Sequence, residues 1–135
     1  MPEAGYSKTP LIKKLGITDS MKVLLINAPV NYFDLIKKDI SKSLCGKNDR
    51  PDFIHLFVTT RKDFENQMKK VSGIMHNETI IWVSWYKKSS GFVSDVTEDV
   101  IRNYALQNNL VDVKVCAVTE VWSGLKLVVP LNKRK

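Results

Sequence analysis

Apolar residues gather in short unbroken runs, and between the runs they recur every three or four positions. The runs are KVLLINAP at 22–29, DFIHLFVT at 52–59 and TIIWVSW at 79–85. An unbroken apolar run of this length, bounded by turn residues, marks a strand covered on both faces, as strands of parallel sheets are. The third is rich in β-branched and aromatic residues, which suit a pleated surface. Between the runs the period changes. In NYFDLIKKDISKSL, 31–44, Phe33, Ile36, Ile40 and Leu44 fall at helical spacing and predict one helix. RKDFENQMKKV, 61–71, places Phe64, Met68 and Val71 on one side of another. A helix over about 96–108 turns Val96, Val100, Ile101, Tyr104 and Ala105 inward. Asp95 with Glu98 three residues on reads as its capping box, with Ser94 as the alternative cap.

The ends of the chain complete the pattern. Thr9 followed by Pro10 predicts the N-cap and first position of a short helix, LIKKL, which Gly16 stops. Gly46 and Pro51 punctuate the break CGKNDRPD. VDVKVCAVTEVW and GLKLVVPL are two further strands; with Ser123 and Gly124 between them they predict a tight hairpin. The resulting order is an α/β, three-layer Rossmann-like fold: a mostly parallel sheet with helices on both faces and a C-terminal antiparallel hairpin. That closing hairpin resembles the end of class I methyltransferases, where the last strand inserts antiparallel, so the chain looks like a truncated version of that fold. With no linker or repeat, residues 1–132 read as one domain and 133–135 as a basic tail.

Composition adds little to this picture. The chain has 135 residues, 44% hydrophobic and 26% charged, as in ordinary globular proteins. No apolar run approaches the roughly 18 residues of a membrane span, and MPEAGYSKTP lacks the apolar core of a secretory signal. Cys45 and Cys116 match no zinc or redox spacing, and the reading is reduced thiols in a cytoplasmic protein. The net charge is +7. Part of it lies in the tail, and much of the rest in the pairs Lys13-Lys14, Lys37-Lys38, Lys69-Lys70 and Lys87-Lys88, the pattern of solvated faces. No nucleic-acid motif accompanies the charge. The expected partner is a small ligand or a protein, with nucleic acid and membrane not expected.

Candidate chemistry is sparse. A nucleotide or S-adenosylmethionine site in this fold lies at the C-terminal ends of the strands, and needs a glycine-rich turn after the first strand and an acidic residue ending the second. Here Ala28 and Pro29 stand where glycines belong, and Pro29 lacks a backbone donor. CGKNDR is too short and polar for a second strand, and neither Asp49 nor Asp52 is well placed. The usual grip is therefore absent, and the expected cofactor is none. There is no P-loop and no GxSxG nucleophile turn. His55, between Ile54 and Leu56, reads as a hydrogen-bonded core histidine, His76 as an exposed loop residue and Cys116 as a packed thiol. Trp82 and Trp85, three apart in a strand, point to opposite faces. Trp122 packs across the hairpin or joins an exposed aromatic surface.

One stretch keeps binding potential. In WVSWYKKSSG, 82–91, a buried run ends in Lys87, Lys88, Ser89, Ser90 and Gly91, just ahead of a helix N-terminus that favours anions. The acidic start of that helix, Asp95, Glu98 and Asp99, opposes an anion there and favours a solvated loop. Asn27, Thr59, Thr60 and Arg61 end the neighbouring strands on the same edge. Together with Trp85 and the 87–91 loop they make the candidate ligand site; no catalytic or metal residues are assigned.

AGYSKTPLIKKLGI, HLFVT, WVSWYKKSSG, TEDVIR and DVKVCAVTEVWSGLKLVV together resemble a bacterial family of small single-domain proteins classed as a domain of unknown function. The resemblance spans nearly the whole chain. It is weakest from about 38 to 51, and Tyr86 stands where the family pattern has proline. It implies a single domain and brings no catalytic residue. The sequence thus predicts a non-catalytic ligand- or protein-binding domain. The alternatives are a divergent S-adenosylmethionine-dependent enzyme, with Asn27, Thr59 and Trp85 lining its pocket, and a weak nucleic-acid binder working through the lysine pairs and the tail.

Overall fold

Residues 9–46 and 48–134 are described by the structure, a computed structural model. Most of MPEAGYSKTP, Lys47 of the CGKNDRPD break and Lys135 of the tail lie outside the described residues. The elements alternate as the sequence predicts: α1 (Leu11–Leu15), β1 (Val23–Ile26), α2 (Tyr32–Ile36), β2 (Phe53–Phe57), α3 (Arg61–Ser72), β3 (Ile80–Tyr86), α4 (Glu98–Gln107), β4 (Val111–Ala117) and β5 (Trp122–Val128). Among the described residues no helix is long and apolar enough to cross a membrane.

The five strands make one sheet in the order β1-β2-β3-β5-β4. β1, β2 and β3 are parallel, with Val23 opposite Phe53 and Phe53 opposite Ile80. β5 enters between β3 and β4, antiparallel to both, so β4 keeps the direction of the first three. The fold is Rossmann-like, with the predicted antiparallel insertion. All five residues of β2 are buried, which explains the lack of polar alternation in that run. Alternate side chains feed two cores. Ile54, Leu56, Ile81 and Val83 pack with Phe64 and Met68 of α3 and Ile101 and Ala105 of α4. Val23, Phe53, Phe57 and Trp82 pack with Leu15 of α1 and Tyr32 and Ile36 of α2. Trp82 and Trp85 fall in opposite cores as expected, and Trp82 Nε1 donates to the Leu15 carbonyl at 2.8 Å.

Four local expectations need correction. The helix predicted over 31–44 stops at Ile36, because Lys37 turns left-handed at φ 56. Asp39 Oδ1 then accepts the Ser41 N–H at 2.9 Å and begins a separate turn at Ser41–Ser43. Ile36 and Ile40 are still buried, but Leu44 leaves the helix pattern and forms a parallel bridge with Val23. The Cys45 N–H donates to the Val23 carbonyl, whereas Phe53 of β2 bonds to Lys22. Successive strand residues present their backbone groups to opposite edges, so Leu44 lies on the edge of β1 away from β2. A single bridged residue thus stands beside β1 where larger Rossmann sheets carry another strand.

The other three concern chain turns. Pro10, not Thr9, occupies the cap position of α1, extended at ψ 146. Thr97, not Asp95 or Ser94, caps α4, with its Oγ1 accepting the Val100 N–H at 3.2 Å. The hairpin turns at 118–121, where the Val118 and Thr119 N–H groups both donate to the Trp122 carbonyl. Ser123 and Gly124 lie inside β5, opposite Ala117 and Cys116. Gly124 serves packing: a Cβ there would meet Trp82 and Val118 at 3.1 Å.

Candidate functional site

The parallel strands end at one edge, and the sequence-predicted residues lie along it in three separate groups. Asn27 leaves β1 left-handed, at φ 59. Its Nδ2 donates to the Phe57 carbonyl at 3.3 Å and to Asp63 Oδ2 at 3.4 Å, so it links the end of β1 to β2 and the first turn of α3.

Thr59, Thr60 and Arg61 form the second group. Thr60 caps α3, accepting the Asp63 N–H at 3.0 Å. The loop before α4 folds back onto this turn. Ser94 Oγ donates to the Thr59 carbonyl at 2.8 Å, and Asp95 Oδ1 accepts the Arg61 N–H at 2.7 Å. A helix N-terminus favours an anion, and at α3 the chain's own Asp95 carboxylate takes that place. Asp95 and Ser94 are engaged here, which leaves Thr97 to cap α4. The remaining acidic residues at the start of α4, Glu98 and Asp99, pair with Arg102, which also bonds Asp112 of β4 at 3.1 Å. These carboxylates hold the Arg102 guanidinium above its ordinary range, the Glu98 hydrogen bond contributing most.

The third group is the loop after β3. Lys88–Ser90 make one 3-10 turn that ends at Gly91, left-handed at φ 82. Much of its donor capacity is used internally. The Ser90 N–H bonds to the Lys87 carbonyl, the Gly91 N–H to Lys88, and the Phe92 N–H to Ser90 Oγ. Lys87 donates its own N–H to Val121 at 2.8 Å, fixing the loop to the hairpin turn. A cleft of about 520 Å³ opens beside it, with Trp85, Lys87, Lys88 and Phe92 on one side and Thr97 to Asp99 on the other. Asn27, Thr59, Thr60, Arg61, Ser89, Ser90 and Gly91 do not line this cleft.

Sequence reasoning offered Trp122 to an exposed aromatic surface but missed Tyr86 and Phe92, which join it in an aromatic ledge beside the cleft. Tyr86 stacks on Phe92 at 4.9 Å and on Trp122 at 4.6 Å, and Trp122 meets Phe57 edge-on at 5.1 Å. The signal was present: Tyr86 and Trp122 face each other in the β3–β5 register, but that register required placing the hairpin turn correctly. Phe92 is 56% exposed and Val93 94%, so the ledge continues as apolar surface next to two lysines.

Below the ledge, inside the second core, lies a polar chain. Tyr32 Oη is 2.7 Å from His55 Nδ1, and His55 Nε2 is 2.8 Å from Ser84 Oγ. His55 and Ser84 are fully buried and Tyr32 nearly so. Burial pushes His55 down to about 3 and raises the Tyr32 phenol. The imidazole therefore stays neutral, with both nitrogens engaged. The Cys116 thiol is likewise raised by burial. His76 departs from its expected exposure: it is partly buried, Nε2 lies 2.7 Å from Asp52 Oδ1, and Nδ1 accepts the Glu78 N–H at 3.1 Å.

The turn after β1 carries Pro29 and an Asn27 tied down by its amide; the neighbouring strand is one bridged residue that brings no carboxylate; and Asp95 fills the N-terminus of α3. Among the described residues no cluster of His, Cys, Asp and Glu is arranged to hold a metal ion.

Strand order and the position of this edge define the class, a Rossmann-like α/β domain. Among solved structures the chain is similar to a protein in the NADB-Rossmann superfamily from Streptococcus agalactiae, with a TM-score of 0.55 and 9% identity over 93% of this chain and 71% of that one. At that identity the likeness concerns the fold alone. No family model and no curated protein matches the chain.

Proposed function

We propose that the chain is a non-catalytic binding domain, which takes a ligand or protein partner at the ledge of Tyr86, Phe92 and Trp122 beside Lys87 and Lys88, and does not transfer methyl groups. The observation that carries this reading is the Asp95 carboxylate on the Arg61 N–H. It closes with protein the helix N-terminus that follows β2 on the edge where the parallel strands end, a place that favours an anion. Stacked aromatics with an exposed outer face supply area at low entropic cost, and the lysines favour an acidic partner.

A second reading, a divergent S-adenosylmethionine-dependent enzyme, draws support from the antiparallel β5 between β3 and β4. Thermal unfolding with S-adenosylmethionine, S-adenosylhomocysteine, nucleotides and phosphate separates the two. A ligand at about a hundred times its dissociation constant adds roughly 2.7 kcal/mol, a shift of several degrees for a domain of this size. The binding-domain reading predicts no shift with the adenosyl compounds. A shift with either, followed by turnover of the methyl donor, overturns it.

A further inference from the structure

At the opposite edge of the sheet, where the parallel strands begin, a larger cleft of about 920 Å³ lies between the second halves of α3 and α4. That volume falls in the range of small-molecule sites, roughly 300–1,000 Å³. Met68, Val71 and Leu110 form its buried floor, and half-buried Met75 and Val129 form its accessible apolar wall. Arg50, Lys69 and Lys133 stand around it, and among the described residues no carboxylate lines it.

Among the described residues no carboxylate pairs with the charges there. Arg61 and Arg102 each pair with carboxylates, whereas among the described residues Arg50 makes only a long 3.5 Å side-chain contact, from Nη1 to the Met75 carbonyl. Lys69 and Lys133 have no ion pair among the described residues. Helix C-termini attract cations, but the carbonyl ends of α3 and α4 are already capped. The Gly73 and Met75 N–H groups bond back to Lys70 and Val71, the Leu110 N–H bonds to Ala105, and Asn108 Nδ2 bonds to the Tyr104 carbonyl. His76 is engaged by Asp52 and Glu78. What remains is a cationic rim over a methionine- and valine-lined wall, and methionine adapts readily to varied apolar shapes.

We propose that this cleft binds an organic anion with an apolar body, the carboxylate or phosphate head held by Arg50, Lys69 and Lys133 and the body laid against Met75 and Val129. The site is independent of the ledge at the other edge, and stands whether or not the ledge takes a partner.

Calorimetric titration with decanoate, decanol and inorganic phosphate tests it, each below its aggregation limit. Decanoate is expected to saturate. Decanol lacks the charge and phosphate lacks the body, so each is expected to bind at least about tenfold more weakly. Arg50→Gln with Lys69→Gln changes two exposed rim residues; it is expected to weaken decanoate about tenfold while leaving the unliganded melting temperature unchanged. Amide resonances of Met75 and Asn109 are expected to move with decanoate, and those of Ser89 and Gly91 to stay. Equal binding of decanoate and decanol, unchanged affinity in the double variant, or no saturation each overturns the proposal.

Discussion

His55 is a polar residue in a strand with every side chain buried, and its tolerance depends on two hydroxyls. Tyr32 and Ser84 engage its two ring nitrogens, so no buried side-chain polar atom among the described residues lacks a partner. The sequence supplied the histidine between Ile54 and Leu56 but not its partners, which lie 23 positions before and 29 after it. Two consequences follow from burial. Since burial lowers His55 from its ordinary 6.5 to about 3, the unfolded chain takes up a proton between those values that the folded chain refuses. Its contribution is fully present above pH 6.5 and is lost as pH falls, at about 1.4 kcal/mol per pH unit. His55→Leu removes this acid sensitivity. It also orphans two buried hydroxyls, at about 1–3 kcal/mol each. Urea unfolding at pH 7 and pH 5 checks both: the variant is expected to be less stable at pH 7 and to show the smaller loss between the two. A parallel loss in both proteins would mean that the acid response comes from other groups.

Between elements, the short loop ahead of α4 does work that its sequence suggests for α4 itself. Asp95 and Glu98 have capping-box spacing, yet Asp95 bonds to α3 and Thr97 caps α4. The local pattern cannot distinguish these outcomes, because the choice depends on the α3 N-terminus lying across the gap. The same blindness shortened the helix predicted over 31–44. The spacing of Ile36 and Ile40 is that of a helix, but both are buried from either side of a left-handed Lys37. Asp95→Ala tests the cross-element cap. Loss of a charged acceptor at an exposed helix N-terminus is expected to cost about 1 kcal/mol. It also frees the Arg61 N–H, so sulfate is expected to raise the melting temperature of the variant more than that of the parent chain. Equal sulfate responses would show that the α3 N-terminus remains closed without Asp95.

Over the whole molecule, what the sequence made legible is the alternation of buried runs and periodic segments, since each is a local pattern. The antiparallel insertion did not follow from it; local pattern gave only two closing strands, and the insertion was expected from their resemblance to the end of class I methyltransferases. The large cleft was not legible, because its walls come from α3, α4, the segments before β2 and β3, and the chain after β5, which share no local signature. The candidate edge was legible as an edge, but its division into three groups depended on side-chain pairings such as Asn27 with Asp63. The most consequential long-range feature is β5. It is the last strand in sequence yet occupies the sheet interior, pairing Ser84 with Gly124 on one side and Cys116 with the same glycine on the other. Its Leu125 and Leu127 are fully buried in the core under α3 and α4, and each contributes about 1.5–3 kcal/mol by burial alone. Without β5, β4 has no neighbour in the sheet and β3 presents an unpaired edge. A chain ending at Val121 is therefore expected to lose more than the roughly 5–15 kcal/mol that holds a domain together. It should show no cooperative thermal transition and little near-ultraviolet circular dichroism from Trp82 and Trp85. A cooperative transition in that shortened chain would mean that β1, β2, β3 and their helices form a self-sufficient unit, with the final hairpin merely added to its edge.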